Sequence, residues 1–454
     1  MELFSDSLAG HTAALLGFGI SAQQLLPYLL RCGMRVCVRD RRTAPPAALP
    51  AGVSYRGGEG YLDDLREEYL FRSPSLRPDL PPLAAAVARG AVLSSEWGLF
   101  ATRTPATVLG VTGSDGKTTT ATLAAEMLRA GGIAGRRVFL GGNIGVPLTP
   151  FLPDMRAEDY AVAELSSFQL MDAPPAPARA VVTNLTENHL NWHRDMAEYT
   201  AAKANILGAA THAVLNAESP AVAAMAKGRA EKTLFSSRRG RAALLSAFGE
   251  CHTVTVEEGN LAYDGEALFP ATTLRLPGVH NLENCMAAIG LVYPCLADRD
   301  AMRRVALQFS GVRHRLERVG CVCGVTYYNS SIDSTPTRTA AALAALGGKP
   351  IILCGGADKG VSFAPLRAAL SSHVKAAILF GATREKLFAV LGGADFPCYQ
   401  RETLSEAVLL AAELALPGDR VLLSPACTSF DAYANFEERG DAFCRMVAAL
   451  SRDT

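Results

Sequence analysis

The stretch Gly110–Thr120, which reads GVTGSDGKTTT, constrains the fold of this chain more than any other part of its sequence. It places Gly-Lys-Thr between an apolar run that begins at Thr107 and a helical pattern from about Thr118 to Ala130. Glycines allow backbone N–H groups to face phosphate oxygens, and the following helix directs the positive end of its dipole to the same point. The stretch therefore predicts a strand, a phosphate-binding loop and a helix, although Val111 stands where the first glycine of such loops usually lies.

Short apolar runs alternate with alanine- and leucine-rich helical runs along the whole chain. This alternation predicts α/β units with mainly parallel sheets. A length of 454 residues is too great for one hydrophobic core. We predict an α/β fold of three domains: a Rossmann-like N-terminal domain at residues 1–98, a central P-loop ATPase-like domain at 99–311 and a Rossmann-like C-terminal domain at 312–454.

Composition limits the kinds of partner that the chain can have. The 44 basic and 44 acidic residues form no block of like charge, which argues against a nucleic-acid or membrane-surface partner. The eleven cysteines are scattered without a C-x-x-C pair, as expected of thiols in a reducing compartment. We find no signal-peptide pattern and no apolar run of membrane-spanning length, so we expect a cytoplasmic protein.

Several side chains around the predicted phosphate loop are candidates for chemistry. In such loops Lys117 would neutralise the β- and γ-phosphates of a nucleotide, and the Thr118 hydroxyl would ligate Mg²⁺. Glu164 ends an apolar run, and in phosphate-loop proteins an acid at that position reaches the metal. Taken alone, His189 is as compatible with a structural role as with a ligating one, and a lysine such as Lys203 is more often solvated than part of a site.

The N-terminal domain carries a second glycine turn. Gly17-Phe-Gly19 follows an apolar run and Asp40 ends the next one, in a pattern similar to the dinucleotide-binding fingerprint. The pattern indicates a nucleotide-like ligand and leaves its identity open.

A set of motifs across essentially the whole chain resembles the Mur ligases, the amide ligases of peptidoglycan synthesis. The motifs are Thr112–Thr119, Gly142–Pro147, Glu164–Leu170, Asn184–His189, Tyr199–Lys203, Gly278–Asn284 and Leu423–Gly440. The first has Asp115 where the family usually has Asn. The last resembles the family member that adds D-glutamate and separates it from its sister ligases.

The resemblance implies an ATP-dependent ligase that joins D-glutamate to UDP-N-acetylmuramoyl-L-alanine through an acyl phosphate. It implies ATP and two Mg²⁺ ions, with Mn²⁺ as a substitute ion. It also implies that CO₂ carbamylates Lys203, because an ammonium group cannot coordinate a metal whereas an anionic carbamate can. Such enzymes are expected to be cytoplasmic monomers.

The resemblance further assigns residues to each ligand. Lys117, His189 and Lys203 would be catalytic. ATP would be bound by Gly113, Ser114, Asp115, Gly116, Lys117, Thr118, Thr119, Asn281, Asn284 and Arg315, with His314 beside Arg315. The UDP-substrate would be bound by Gly19, Ser21, Asp40, Arg41, Arg42, Asn143, Ser166 and His189. D-Glutamate would be bound by Ser334, Lys359, Ser429, Phe430 and Phe436. The metal ions would be held by Thr118, Glu164, His189 and Lys203.

Three positions depart from the family pattern. Asn188 stands where the family commonly has Asp, Ser330 replaces an acid expected near ATP or its metal, and Asp333 replaces an alanine. We hypothesise that Asp333 supplies the carboxylate displaced from position 330.

The sequence leaves several alternatives open. One is a different Mur-type ligase or a folylpolyglutamate-type ligase, against which the motif Ser424–Gly440 argues. Another is an NAD-dependent oxidoreductase, which would leave Lys117, Glu164 and Lys203 without a task. A third is a catalytically impaired nucleotide-binding relative.

Overall fold

The computed structural model describes residues 7–46, 49–172, 174, 177–190, 192–208, 211–276, 278–358, 362–371 and 373–450. The chain forms two compact units, Met1–Phe309 and Ser310–Thr454. This division lies close to the predicted start of the third domain at residue 312. The predicted boundary near residue 98 falls within the helix Glu96–Arg103. The separation of the first unit into two domains remains a prediction.

Within described residues 7–103, five parallel strands form a sheet. The strands are β1 (Thr12–Leu16), β2 (Arg35–Asp40), β3 (Ser54–Gly57), β4 (Tyr69–Arg72) and β5 (Val92–Ser94), and the helices are α1 (Ile20–Arg31), α2 (Pro81–Ala88) and α3 (Glu96–Arg103). The strand order is β3-β2-β1-β4-β5. Leu15 and Leu29 belong to one apolar cluster and Leu70 and Leu83 to another. Burial of both faces is what a parallel sheet requires.

Nine strands of the described part of residues 107–270 form the second sheet of this unit. They are β6 (Thr107–Thr112), β7 (Val138–Gly142), β8 (Tyr160–Glu164), β9 (Arg179–Val182), β10 (His212–Asn216), β11 (Lys232–Ser236), β12 (His252–Glu257), β13 (Asn260–Tyr263) and β14 (Glu266–Pro270). The helices are α4 (Lys117–Gly131), α5 (Ser167–Leu170), α6 (Met196–Ala204), α7 (Pro220–Ala223), α8 (Arg241–Phe248), α9 (Val279–Val292) and α10 (Arg299–Gln308).

The order of the second sheet, β14-β13-β12-β11-β10-β9-β6-β8-β7, positions the candidate site. Strand β6 lies between β8 and β9 and is parallel to both. The residues that follow Thr112, Glu164 and Val182 therefore meet at the carboxyl edge of the sheet, where ligands of such folds bind. Only β13 and β14 add to the described sheet in antiparallel fashion.

The second unit contains a sheet of six described strands in the order β15-β16-β20-β17-β18-β19. The strands are β15 (Glu317–Val322), β16 (Val325–Asn329), β17 (Ile351–Gly355), β18 (Ala376–Phe380), β19 (Cys398–Gln400) and β20 (Arg420–Leu423). The helices are α11 (Pro336–Leu346), α12 (Ala364–Leu370), α13 (Arg384–Leu391), α14 (Leu404–Leu414) and α15 (Phe436–Leu450). Leu353 and Ile352 lie in separate apolar clusters of this unit.

The predicted α/β fold class with mainly parallel sheets is confirmed. The antiparallel hairpins were not predicted, and their cause is local. Glu258–Gly259, Asp264–Gly265 and Cys323–Gly324 each supply two consecutive residues with positive φ, from 48° to 88°. Such two-residue turns match the twist of antiparallel strands. None of the helices in the described residues combines the length and the apolar character that a membrane span requires.

Candidate active site

The candidate active site is built around the loop 113–116 at the carboxyl end of β6. Gly113 has a φ of +146° and Gly116 a φ of +78°, which L side chains rarely adopt. A Cβ on Gly113 would lie 1.9 Å from Thr183 Oγ1, and a Cβ on Gly116 would lie 2.0 Å from Asn284 Oδ1. The loop therefore packs so closely on the end of β9 and on α9 that a side chain at either position would collide.

Residues that follow β9 hold the loop through its backbone. Asn184 Oδ1 accepts a hydrogen bond from Asp115 N at 2.9 Å, and Thr183 Oγ1 donates to Asp115 O at 2.6 Å. Ser114 Oγ donates to Thr186 O at 3.0 Å and lies 2.8 Å from the hydroxyl of Tyr199. These contacts fix the loop before any ligand is bound.

Two lysine ammonium groups meet at one carbonyl oxygen of the loop. Lys117 Nζ donates to Gly113 O at 2.9 Å and to Ser114 O at 2.7 Å. Lys203 Nζ donates to the same Gly113 O at 2.7 Å and lies 4.9 Å from the centre of the Tyr199 ring. Burial and the charge of Lys117 lower the pKa of Lys203 from its usual 10.5 to about 7. A large share of Lys203 side chains is therefore neutral amine near neutral pH.

A buried carboxylate lies beside the start of α4. Thr118 Oγ1 donates to Glu164 Oε2 at 2.7 Å, and Asn143 Nδ2 donates to Glu164 Oε1 at 2.9 Å. Hydroxyl and carboxylate oxygens are the donors that Mg²⁺ uses together with waters and substrate phosphates. No three His, Cys, Asp or Glu side chains converge on one metal position in the described residues. The Thr118 hydroxyl and the Glu164 carboxylate are oxygen donors of the kind that fit a metal ion shared with phosphate oxygens.

His189 lies in the loop after β9, with its side chain exposed. Its φ is +57°, and its ring centre lies 4.9 Å from that of Phe168. Partial burial and the charges of Lys203 and Lys117 lower the pKa of His189. A neutral imidazole is the form that ligates a metal. Ser166 is the N-cap of α5, and its hydroxyl accepts from Gln169 N at 3.3 Å in a capping box.

A cavity of about 160 Å³ adjoins the loop. Its lining consists of Asp115, Gly116, Thr183, Asn184, Phe235, His280, Glu283 and Asn284. Asn284 was among the predicted ATP residues, and Asn281 lies on the same helix, α9. Thr183, Asn184, Phe235, His280 and Glu283 were not among the predicted ATP residues. His280 and Glu283 stand inside the motif Gly278–Asn284, and Asn184 begins the motif Asn184–His189. Thr183 follows β9, and Phe235 is the last residue but one of β11, at the same edge of the sheet.

The predicted UDP-binding residues of the first sheet surround its glycine turn. Asp40 Oδ2 accepts from Phe18 N at 2.7 Å, and Arg42 Nε donates to Asp40 Oδ1 at 3.0 Å. Burial opposes the charged form, but the hydrogen bonds from Arg42 and Phe18 prevail and lower the pKa of Asp40. Gly19 caps α1 and Ser21 lies in its first turn, whereas Arg41 is exposed.

The predicted D-glutamate residues of the described chain lie in the second unit. Ser429 is buried, Phe430 is 72% exposed, Phe436 begins α15 and Ser334 is half-buried. Lys359 lies outside the described residues. Arg315, predicted to bind ATP, is an exposed residue of this unit, and His314 is buried there.

Sequence reasoning missed the role of Arg439, although it stands in the motif that ends at Gly440. Its buried guanidinium donates to Thr428 O at 2.9 Å, Ser331 O at 2.9 Å and Cys427 O at 3.2 Å. Burial lowers its pKa to about 10, so that it stays charged at neutral pH. Arg439 therefore ties the segment before Ser429 to the segment before Ser334.

Asp333 does not stand at the surface of its unit. Its side chain is buried, and its Oδ2 accepts from Ser424 Oγ at 2.8 Å. Burial raises its pKa. Ser330 Oγ accepts from Leu316 N at 3.2 Å. The Ser330 hydroxyl also hydrogen-bonds to the Asp333 carboxyl, so the two side chains are neighbours. The hypothesis that Asp333 supplies the carboxylate displaced from position 330 stays a prediction.

Comparison with known proteins identifies the family. The family model of the Mur ligase middle domain matches residues 111–292, and that of the Mur ligase glutamate ligase domain matches residues 314–427. Two relatives named UDP-N-acetylmuramoylalanine–D-glutamate ligase, from Symbiobacterium thermophilum and Acetivibrio thermocellus, are 42% and 37% identical to this chain. The alignments cover 97% and 98% of this chain and 98% of each relative.

A solved structure has the same fold. The UDP-N-acetylmuramate–alanine ligase MurC of Thermotoga maritima matches with a TM-score of 0.52 and 17% identity, over 97% of this chain and 99% of that one. The resemblance found in the sequence motifs is confirmed. The chain belongs to the Mur ligase family.

Proposed function

We propose that the chain is an ATP-dependent amide ligase that joins D-glutamate to UDP-N-acetylmuramoyl-L-alanine in the synthesis of peptidoglycan precursors. Relatives with that printed name align over nearly the full chain. The observation that carries the proposal at the site is the convergence of Lys117 and Lys203 on Gly113 O, beside the Thr118–Glu164 pair. A cationic loop next to oxygen donors suits a nucleoside triphosphate.

The chemistry needs an activated carboxylate, because oxide is not a leaving group near neutral pH. The alanyl carboxylate attacks the γ-phosphorus of ATP, and ADP leaves. The amine of D-glutamate then attacks the carbonyl carbon of the resulting acyl phosphate. Inorganic phosphate leaves from the tetrahedral intermediate, and the amine loses a proton. The products are the amide, ADP, phosphate and one proton.

ATP is assigned to the loop and to the cavity beside it. Backbone N–H groups of Gly113–Thr119 and the ammonium of Lys117 would contact the phosphates. The cavity lined by Asn284 would receive the base, with Asn281 on the same helix. Arg315 belongs to the second unit, and its assignment to ATP stays a prediction.

Thr118 and Glu164 would hold one Mg²⁺ or Mn²⁺ ion, and His189 with carbamylated Lys203 a second. When bound, these ions neutralise phosphate charge. The lowered pKa of Lys203 supports the carbamate, since only the neutral amine attacks CO₂. The new N–C bond gives an anionic carbamate, and one proton is released. The number of ions stays a prediction.

The two other substrates are assigned to the remaining predicted residues. Gly19, Ser21, Asp40, Arg41 and Arg42 would hold the UDP end. The reacting alanyl end would lie near Asn143, Ser166 and His189. Ser334, Lys359, Ser429, Phe430 and Phe436 would hold D-glutamate, and a monomer would suffice for the reaction.

Phosphate release from ATP tests the proposal. It is measured with UDP-N-acetylmuramoyl-L-alanine and, in turn, D-glutamate, L-glutamate, L-lysine, meso-diaminopimelate or no amino acid. Release that depends on D-glutamate supports the proposal, and dependence on another amino acid favours a different Mur-type ligase. ATP binding without release favours the catalytically impaired relative. Binding of NAD would favour the oxidoreductase.

A further inference from the structure

The segment that follows β4 contacts the glycine turn of the first sheet. We call residues 73–79 the β4 strap. Ser73 N donates to Leu16 O at 2.8 Å, and a Cβ placed on Gly17 would lie 3.1 Å from Ser73 Cβ. The strap therefore lies directly against the turn that the UDP end of the substrate is proposed to occupy.

The other end of the strap contacts the loop that carries His189. Arg77 Nη1 donates to Trp192 O at 2.8 Å, and Trp192 Nε1 donates back to Ser75 O at 2.9 Å. The guanidinium carbon of Arg77 lies 5.0 Å from the centre of the Trp192 ring. Trp192 is thus held to the strap by two hydrogen bonds and by the contact of its ring with the Arg77 guanidinium.

Arg77 also binds the start of α6. Its Nη1 donates to Glu198 Oε2 at 3.0 Å and its Nη2 to Glu198 Oε1 at 2.8 Å. Its Nε and Nη2 donate to the carboxylate of Asp79, each at 2.9 Å. With the bond to Trp192, all five N–H donors of the guanidinium are used. The side chains of Arg77 and Glu198 are only 19% and 15% exposed, and paired bonds of this kind fix orientation as well as distance.

Trp192 is one hydrogen bond away from His189. Its backbone N–H donates to His189 O at 3.0 Å, and the Phe168 ring lies 4.6 Å from Trp192 and 4.9 Å from His189. A residue other than glycine keeps a positive φ, here +57° at His189, only when its surroundings hold it there. The contacts of Arg77 with Trp192 are part of those surroundings.

On the basis of the function proposed above, we propose that Arg77 is a positioning residue of the ligase. It fixes Trp192, and through Trp192 the peptide of His189, to the β4 strap. The strap in turn adjoins the glycine turn at Gly17. The position of the alanyl end of the substrate is thereby fixed relative to that of its UDP end.

The test compares Arg77→Met, which keeps the apolar stem and removes the guanidinium, with Arg66→Met. Arg66 is the matched control because its side chain is 82% exposed and pairs with Asp64 at 2.8 Å. Arg77→Met should fold, since Glu198 still accepts from Arg194 N at 2.9 Å and Asp195 still caps α6. We measure kcat, KM for each substrate and the half-activating Mg²⁺ concentration.

For Arg77→Met we expect kcat to fall about tenfold or more, because small displacements of reacting groups are costly. The half-activating Mg²⁺ concentration should rise, and KM for D-glutamate should stay within about twofold. Arg66→Met should match the wild type. Arg77→Lys should retain only part of the rate, because an ammonium keeps the charge but cannot form the paired bonds.

Tryptophan fluorescence supplies a readout that a merely structural role would not move. The chain has two tryptophans, and Trp97 is buried at 1% exposure, so acrylamide quenching reports mainly Trp192. We expect Arg77→Met, but not Arg66→Met, to quench more strongly at an unchanged unfolding temperature of the bulk protein.

The outcomes separate failure of the proposed ligase function from failure of the inference about Arg77. A wild-type enzyme without D-glutamate-dependent turnover refutes the proposed function. An active wild type with equal kcat, Mg²⁺ dependence and quenching in the Arg77→Met and Arg66→Met variants overturns the inference. A loss in Arg77→Met that only follows the unfolded fraction overturns it as well.

Discussion

The first unit builds two strand–glycine turn–helix segments that differ in the side chains around the turn. At Gly17–Gly19 the carboxylate of Asp40 accepts from the backbone N–H of Phe18. At Gly113–Gly116 the ammonium groups of Lys117 and Lys203 share a backbone carbonyl. The first turn thus contacts the ion pair of Asp40 and Arg42, whose Nη2 donates to Phe18 O at 3.2 Å, and the second turn contacts two cationic or titrating side chains.

The difference shows what the fold supplies and what it does not. Both turns present N–H groups at a helix start, which suits an anion of any kind. Only the second adds lysine charge and a Thr–Glu pair, as transfer of a phosphoryl group requires. The first turn is suited to hold a nucleotide end, and the second to react with one.

Substitution of Lys117 should give the largest difference in activity between changes at the two turns. We expect Lys117→Ala to lower kcat for D-glutamate-dependent phosphate release by about 10³-fold, since a preorganised charge at the phosphates is lost. Arg41→Ala, the matched change near the first turn, should mainly raise KM for the UDP-substrate. If Lys117→Ala kept a kcat close to that of the wild type, the second turn would not be the reacting one.

The titration of Lys203 should make the second turn depend on CO₂. A pKa near 7 means that the neutral amine increases as pH rises from 6 to 8, so turnover at limiting bicarbonate should rise over that window. Lys203→Ala should be about 100-fold slower and indifferent to bicarbonate. Equal bicarbonate responses in both proteins would contradict the carbamate.

Alanine substitutions test how closely each turn is packed. Gly116→Ala should destabilise the unit by about 3 kcal/mol, because of the positive φ and the collision with Asn284 Oδ1. Gly19→Ala meets no atom within 4 Å in the described residues and should cost less than about 1 kcal/mol. Urea unfolding of both variants measures the difference, and similar losses would show that the turns are packed alike.

Asp40→Asn should give a smaller effect than Gly116→Ala. A carboxyl with a lowered folded pKa stabilises the fold above its unfolded pKa, and that contribution is lost as pH falls through the folded pKa. We expect the wild type to exceed Asp40→Asn by about 1–2 kcal/mol at pH 7, and the gap to close in acid below about pH 4. Thermal unfolding from pH 3 to 7 measures it, and a gap that did not narrow as the pH fell over that range would refute the role of the charge.

Local features of the fold and site could be predicted from the sequence. The strand, loop and helix around Lys117 follow from adjacent residues, and the predicted end of an apolar run at Asp40 is the end of β2 in the structure. The family followed from spaced motifs. The hairpins were missed although Asp264-Gly265 is a known turn signal, because the interpretation relied on the alternation of strands and helices.

Contacts between distant segments could not be predicted. Arg77 and Glu198 are 121 positions apart, and nothing in the spacing of either residue indicates the other. Phe235 joins the cavity only because β11 ends at the same sheet edge as β6. The importance of Arg439 depends on backbone carbonyls, whose positions a sequence does not encode locally.

Helix α6 fixes the distance and the relative direction of two of these contacts. Its first turn carries Glu198, which is bound by the strap, and its last turn carries Lys203, which is bound to the phosphate loop. Five residues of helix separate them by about 7.5 Å, and each residue adds about 100° of rotation. An insertion of a single residue between them would turn one end away from its partner, so α6 works as a spacer of one permitted length.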